Sequence, residues 1–252
     1  MVTIKTEKEI ALIRESSRLV ADVLRLLEKQ IHPGIATKML DELAEDFIRS
    51  SGGIPAFKGY GNDRRNLFPA SVCVSIDDEV VHGIPGTRVL KEGEIVSLDV
   101  GVVKNGFFGD GASTFAVGRV SEGKARLMRV TKESLDKGVE QAIEGNLLHD
   151  ISHAVQRHVE AAGFSVVRDL VGHGIGKELH EDPPVPNYGR PKTGLMLKEG
   201  MALAIEPMVS FGKYDVRTAG DGWTIVTADG EPSAHFEHTV IVRKGKAEIL
   251  TQ

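Results

Sequence analysis

Two acidic residues stand inside a segment whose other residues predict a buried β-hairpin. The segment, SLDVGVVKNGFFGDGAS, contains Asn105-Gly106, a pair typical of two-residue hairpin turns. With that turn, the numbers of facing residues sum to 211, so Asp110 lies opposite Gly101 and Asp99 points to the same face. The two carboxylates are then diagonal neighbours, about 7–8 Å apart. They share a proton, hold a divalent cation, or face water at the edge of a sheet.

A weak internal repeat connects this hairpin with the second half of the chain. The stretches LKEGEIVSLDV and LKEGMALAIEP lie 107 residues apart, and the ninth residue after the first Leu is acidic in both, Asp99 and Glu206. Upstream of them, HGIP begins at His82 and HGIG at His173. Duplicated units bring corresponding strands to a shared axis, so we expect Asp99 and Glu206 to line one cavity.

The elements that must position these residues are helices and strands in two similar sets. Thr6 and Glu9 have the spacing of a capping box, which predicts a first helix that ends near Gly34. Asp229-Gly230 predicts a further hairpin, although Pro232 weakens its pairing. Further helices are predicted at 37–50, 121–143 and 150–162, and strands concentrate at 70–120 and 165–245. No linker of low complexity separates the halves, so we expect one α/β (α+β) domain over residues 1–252 with pseudo-twofold symmetry.

The composition excludes several classes of protein. The chain is 252 residues long, 41% hydrophobic and 27% charged, as is usual for a globular protein. A net charge of −5 provides no basic surface for nucleic acid. There is no signal-peptide pattern and no apolar run of about 20 residues, which argues against a membrane protein. The single cysteine, Cys73, excludes an internal disulfide and favours a reducing, cytoplasmic location.

Five residues have the chemistry of a metal centre: Asp99, Asp110, His173, Glu206, and Glu237 in HFEHT. Four carboxylates and one imidazole suit two divalent cations, whereas a structural zinc site would use cysteines. Two ions about 3.5–4 Å apart activate a water molecule and polarise a carbonyl group. Taken alone, His173 also fits a turn histidine between glycines, and Glu206 before Pro207 also fits an acid at a strand end.

Motifs in the same order resemble those of the methionine aminopeptidases. They are HGIP at His82, SLDVG at Asp99, GDGAS at Asp110, GHGIG at His173, IEPM at Glu206 and FEHT at Glu237. The resemblance covers nearly the whole chain. It implies a pita-bread fold, in which duplicated helices and antiparallel sheets surround a central metal cavity. It also implies a metal-dependent exopeptidase of the short bacterial type, which removes initiator methionine ahead of a small second residue by a hydroxide activated between two metals.

The resemblance implies a role for each metal ligand. Asp110 and Glu237 would bridge both metals, Asp99 would bind one of them, and His173 with Glu206 would bind the other. The ions would be divalent cobalt, manganese, iron, zinc or nickel, because the same ligands accept several of these ions.

The resemblance also implies catalytic and substrate-binding residues. Glu206 would take the proton of the attacking water, and His180 would stabilise the oxyanion. His82 would contact the scissile amide or the substrate amine. The pocket for the methionine side chain would be lined by Tyr60, Phe68, Cys73 and Trp223.

Three positions depart from the family pattern. The loop GNDRRNL at 61–67 is longer and more charged, Leu179 stands where relatives usually carry an aromatic residue, and Asp77 stands where relatives often have Asn beside a monovalent-cation loop.

The expected partners are the N-termini of peptides and of nascent proteins at the ribosome, bound by a monomer. Two alternatives are an X-Pro peptidase, whose relatives usually carry an additional N-terminal domain, and a non-catalytic peptide-binding module on the same fold, whose relatives typically lose the metal ligands that are all present here.

Overall fold

Two pairs of helices lie against antiparallel sheets in the computed structural model, which describes residues 2–252. The helices are α1 (Glu7–Glu28), α2 (Thr37–Ser50), α3 (Glu122–Val139) and α4 (Leu148–Ala161). The strands of the first half are β1 (Ile54–Pro55), β2 (Cys73–Ile76), β3 (Glu79–Val81), β4 (Ile95–Lys104) and β5 (Phe107–Ala116). Those of the second half are β6 (Ser165–Val166), β7 (Gly172–Gly174), β8 (Glu181–Val185), β9 (Ala202–Ile205), β10 (Met208–Ser210), β11 (Val216–Thr218), β12 (Ile225–Thr227), β13 (Ser233–His235), β14 (His238–Ile241) and β15 (Glu248–Ile249).

Helices α1 and α3 begin at residues whose side chains cap them, Thr6 and Ser121, whereas the ends of both helices were predicted too late. The capping box of α1 is confirmed: Thr6 Oγ1 accepts the Glu9 N–H, and the Glu9 carboxylate accepts the Thr6 N–H. However, α1 ends at Glu28 rather than near Gly34, because the next N–H groups, of Gln30 and Ile31, donate three residues back, to the carbonyls of Leu27 and Glu28, in a tighter turn. Helix α3 is also shorter than predicted. Among the described residues, no helix is long and apolar enough to cross a membrane.

The predicted hairpin is confirmed with its register. Strands β4 and β5 pair with Lys104 opposite Phe107 and Gly101 opposite Asp110. Asn105 and Gly106 form the turn, with φ values of 53° and 77°, which Asn and Gly tolerate. Strand β4 also pairs with β1 and β2, so the hairpin belongs to a four-stranded sheet behind which α1 and α2 pack.

The second sheet, in the order β15-β14-β9-β7-β8, carries the other predicted metal ligands. His173 lies on β7, Glu206 follows β9 directly, and Glu237 precedes β14 directly. Helices α3 and α4 cover its far side, with Leu127 and Leu203 among the fully buried residues of that core. The acids of this half therefore stand at strand ends that point toward the first sheet.

Strands β5 and β14 join the two halves. The Glu237 N–H donates to the Ala112 carbonyl at 2.9 Å. The hydroxyl of Thr239 accepts the Asp110 N–H at 3.1 Å and donates to the Asp110 carbonyl at 2.7 Å. Because these bonds fix both backbones, Asp110 and Glu237 are brought together at the pseudo-twofold join.

The prediction of a hairpin at Asp229-Gly230 is wrong. Strands β12 and β13 flank this turn but pair elsewhere, β12 with β3 and β11, and β13 with β10. Pro232 has no N–H to donate, and the N–H of Ser233 donates to the carbonyl of Asp77 instead. Long-range partners thus replace the local pairing.

Candidate active site

One cavity of about 290 Å³ lies where the two halves meet. All eleven residues that the sequence analysis assigned to a site line it: Tyr60, Phe68, Cys73, His82, Asp99, Asp110, His173, His180, Glu206, Trp223 and Glu237. The acids and imidazoles lie together, beside an apolar pocket. The individual roles of these residues remain predictions.

Acidic groups and one imidazole converge on a small volume. Ligand atoms of Asp110, His173 and Glu237 all lie within 4.8 Å of one another. Nε2 of His173 lies 3.9 Å from Oδ2 of Asp110 and 3.5 Å from Oε1 of Glu206. Asp99 is close enough that its charge raises the pKa of both Asp110 and Glu206. These distances are too long for direct hydrogen bonds and suit groups that bind the same cations.

The four carboxyl groups of the cluster have no strongly basic side chain beside them in the described lining of the cavity. Burial raises the pKa of Asp110, Glu206 and Glu237, their mutual repulsion adds to the effect, and burial raises the pKa of Asp99 to about 7. The described residues that line the cavity include no Lys or Arg, and Oε1 of Glu237 is buried without a hydrogen-bond partner. Four oxygen ligands and one nitrogen ligand without a basic partner fit divalent cations.

The ring of His173 is arranged so that one nitrogen is available for a metal. Its Nδ1 donates to the Gly174 carbonyl at 2.9 Å, so in the neutral ring the lone pair is on Nε2. Burial lowers the pKa of His173 to about 3, which keeps the ring neutral. Nε2 faces Asp110 and Glu206. A carbonyl that accepts from the far nitrogen is the usual support of a metal-ligating histidine.

Two further imidazoles surround the acids. The ring of His180 lies 4.4 Å from that of His173, and its Nδ1 is hydrogen-bonded to the hydroxyl of Tyr60 at 2.6 Å. The ring of His82 lies 6.4 Å from that of Trp223, and burial lowers the pKa of His82 to about 4. Burial also lowers the pKa of His180, which favours the neutral form of this ring as well.

An apolar pocket adjoins the acids. Phe68 and Cys73 are buried in one cluster with Leu179, and the ring of Trp223 meets that of Phe68 edge-on at 5.4 Å. Cys73 faces Asp99 across the β2–β4 register, so the pocket begins beside the metal ligands. Burial raises the pKa of the Cys73 thiol, which makes it a packing residue rather than a nucleophile.

The loop at 61–67 is anchored on this pocket. Its residue Asn66 accepts the indole N–H of Trp223 at 3.1 Å through its backbone carbonyl. The loop also starts directly after Tyr60 and returns at Phe68, whose N–H donates to the Tyr60 carbonyl. The loop therefore packs against the pocket residues Tyr60, Phe68 and Trp223.

One imidazole inside the cavity was not predicted from the sequence. His235 lines it with 1% of its surface exposed, and its Nε2 lies 3.7 Å from Oε2 of Glu206. It stands two residues before Glu237, so the alternation of an extended chain places both on one face. That spacing was the available signal. Asp169 and Val171, which also line the cavity, had no such signal.

Comparison with known proteins identifies the family. The profile of metallopeptidase family M24 matches residues 11–244. A Clostridium acetobutylicum protein named methionine aminopeptidase is 55% identical over 252 residues, which are 100% of this chain and 99% of that protein. The chain belongs to the methionine aminopeptidases of metallopeptidase family M24. Methionine aminopeptidase 1 of Bacillus subtilis is 51% identical over 100% of both chains.

Solved structures agree with this family and confirm the fold. The crystal structure of methionine aminopeptidase from Thermotoga maritima has a TM-score of 0.97, is 47% identical and covers 100% of both chains. Prolidase from Pyrococcus furiosus has a TM-score of 0.78 at 22% identity and matches 99% of this chain but 65% of its own, a likeness of fold alone. The predicted pita-bread fold and the predicted methionine aminopeptidase family are therefore confirmed.

Proposed function

We propose that this protein removes the N-terminal methionine from polypeptides whose second residue is small. The observation that carries the proposal is the cavity, in which four carboxylates and an imidazole adjoin an apolar pocket. An acidic cluster binds divalent cations, and the pocket accepts a long, unbranched thioether. The relatives named methionine aminopeptidase, 43–55% identical over 99–100% of this chain, support the same conclusion.

The proposed ligands divide between two divalent ions. Asp110 and Glu237 would hold both ions, Asp99 would bind one, and His173 with Glu206 would bind the other. The convergence of ligand atoms within 4.8 Å supports the bridging pair with His173, and the 3.5 Å distance supports His173 with Glu206. Bound there, the ions supply an activated water and a polarised carbonyl.

Side chains of this protein carry out the proton transfer, the stabilisation of the oxyanion and the binding of the substrate. Glu206 takes the proton of the attacking water, a role that suits a carboxyl whose pKa burial raises. His180 donates a hydrogen bond to the developing oxyanion, and His82 contacts the scissile amide or the substrate amine. Tyr60, Phe68, Cys73 and Trp223 hold the methionine side chain, which is supported by their place in one lining.

The proposal also includes the domain organisation of the enzyme, its location and its substrates. Both halves contribute ligands to one cavity, which supports a single catalytic domain over residues 1–252. The one cysteine, Cys73, is free and buried, which suits a cytoplasmic enzyme. Its substrates there are peptides and the N-termini of nascent proteins at the ribosome, and it acts as a monomer.

Peptide cleavage by the metal-loaded chain tests this function. We expect kcat/KM to be highest for Met-Ala-Ser, lower for Met-Leu-Ser, and lowest for Ala-Pro-Ser. Asp110→Asn serves as the inactive control, because it removes a proposed bridging ligand. Fastest cleavage of Ala-Pro-Ser would assign the chain to the X-Pro peptidases. No cleavage of any peptide with metals bound would favour a peptide-binding module.

A further inference from the structure

His235 is a buried imidazole to which the proposed reaction gives no task. Its exposed fraction is 1%, and within the described part of the chain neither of its ring nitrogens has a hydrogen-bond partner. Buried polar groups in folded proteins are nearly always hydrogen-bonded. A buried imidazole without hydrogen-bond partners weakens the fold. A function in the cavity that His235 lines would account for its presence.

The backbone holds His235 in one place. Its N–H donates to the hydroxyl of Thr114 at 2.9 Å, and the same hydroxyl donates to the His235 carbonyl at 2.8 Å. His235 also pairs with Met208 across β10 and β13. The ring is therefore carried by a residue anchored to both halves of the molecule, and it is aimed into the cavity.

The side chain of Glu206 lies between two imidazoles. Its Oε1 is 3.5 Å from Nε2 of His173, and its Oε2 is 3.7 Å from Nε2 of His235. The backbone of Glu206 is fixed, because the Asn187 side-chain amide donates to its carbonyl at 2.9 Å. A distance of 3.7 Å is too long for a hydrogen bond, but a small rotation of the carboxylate would close it.

We propose that His235 is a positioning residue, whose Nε2–H would be donated to Oε2 of Glu206 and would hold that carboxylate in the orientation a metal needs. The inference rests on the proposed function, in which Glu206 is a ligand. A carboxylate ligand held by an outer hydrogen bond keeps the orientation that its metal needs.

Metal affinity measured on the full chain tests this proposal without any turnover assay. The chain is stripped with a chelator and titrated with Mn²⁺ by calorimetry, as wild type, His235→Leu and His235→Gln. Loss of an outer-shell partner typically lowers metal affinity 10–100-fold, and we expect this for His235→Leu. The Gln side chain retains an N–H donor, so His235→Gln should recover most of the affinity.

A matched control separates this role from mere packing. Ser152 on α4 is fully buried and its Oγ also has no partner, but it lies outside the cavity. Metal-free His235→Leu and Ser152→Ala should both melt no lower than wild type, since each loses an unpaired buried group. Only His235→Leu should lose Mn²⁺ affinity.

Each other result overturns the proposal. An affinity of His235→Leu within threefold of wild type would show that His235 does not support Glu206. Equal losses in His235→Leu and His235→Gln would mean that the ring is itself a ligand. A wild-type chain that binds no divalent ion would overturn the proposed function as well, whereas normal binding with unaffected variants would overturn only this inference.

Discussion

The hydroxyl of Tyr60 lies 2.6 Å from Nδ1 of His180. This contact differs from the one that holds His173, whose Nδ1 meets a carbonyl and must therefore carry the proton. A hydroxyl can donate, and when Tyr60 donates to Nδ1 the proton of the neutral ring of His180 is on Nε2. In that arrangement the two neighbouring histidines have opposite tautomers, one with a lone pair for a metal and one with a donor for a substrate carbonyl.

Tyr60→Phe should therefore lower kcat with little change in KM. The ring remains in the cavity lining, but the tautomer of His180 is no longer fixed. A hydrogen bond worth about 0.5–1.5 kcal/mol corresponds to a loss of about 2- to 12-fold. Tyr214→Phe is the matched control, because both tyrosines are 41% exposed and Tyr214 contacts Arg168 through its ring. Equal kcat in both variants would argue against the tautomer assignment.

His180→Ala should bind metals normally and lose turnover. Removing one donor to an oxyanion costs on the order of 10²–10³ in kcat. The measurement pairs steady-state kinetics with the metal content of the purified variant, and Asp110→Asn provides the contrasting case, in which metal is lost. If His180→Ala also lost its metals, His180 would be a ligand and the oxyanion role would be wrong.

Metal binding should stabilise the protein more at pH 7.5 than at pH 5.5. Burial raises the pKa of Asp99 to about 7 and raises those of Asp110, Glu206 and Glu237 in the metal-free chain. A folded-state pKa above the unfolded value means that these groups stabilise the metal-free fold below the unfolded pKa, and that this stability is lost as pH rises toward 7. Protons and metals compete for the same oxygens.

The check is the difference in melting temperature with and without Mn²⁺ at each pH. A free ligand concentration of 100 times the dissociation constant adds about 2.7 kcal/mol to the free energy of unfolding. This gain in stability should shrink as pH falls through 7. His180→Ala, which keeps the proposed ligands, should show the same pH dependence as wild type. A gain independent of pH would mean that the carboxylates are already ionised without metal.

Local signals were enough to predict the first half of the site. Asn105-Gly106 fixed the register that aligns Asp110 with Gly101, because a type of turn determines which residues face each other. The repeat then pointed from Asp99 to Glu206. Both inferences use short segments, in which backbone geometry alone decides the result.

Long-range contacts outside the repeat were beyond sequence reasoning. Strands β12 and β13 flank a plausible turn, yet Ser233 bonds to Asp77, 156 residues away. The spacing of His235 and Glu237 indicates a shared face, but no local pattern predicts that His235 lies beside Glu206, which follows a different strand. The end of α1 was misplaced because Gly34 was taken as the stop, whereas the chain leaves the helix after Glu28.

Gly109→Ala should destabilise the protein because helix α1 leaves no room there. A Cβ at this position would lie 2.5 Å from the backbone nitrogen of Ser17, and backbone cannot move aside cheaply. Overpacking of this kind typically costs about 1–3 kcal/mol. Gly86→Ala is the control, since a Cβ there meets nothing within 4 Å. Chemical denaturation of the metal-loaded proteins would show whether only Gly109→Ala loses stability.

Leu179→Ala should weaken the choice of methionine at the first position. Leu179 is buried beside Phe68 and Cys73, where the methionine side chain is proposed to bind. One methylene in an apolar pocket is worth about 1–3 kcal/mol, so KM for Met-Ala-Ser should rise at least tenfold. The enlarged pocket should favour Phe-Ala-Ser relative to wild type. Leu43→Ala, an exposed leucine on α2, should leave both values unchanged. An unaltered KM in Leu179→Ala would place the methionine side chain in another part of the cavity.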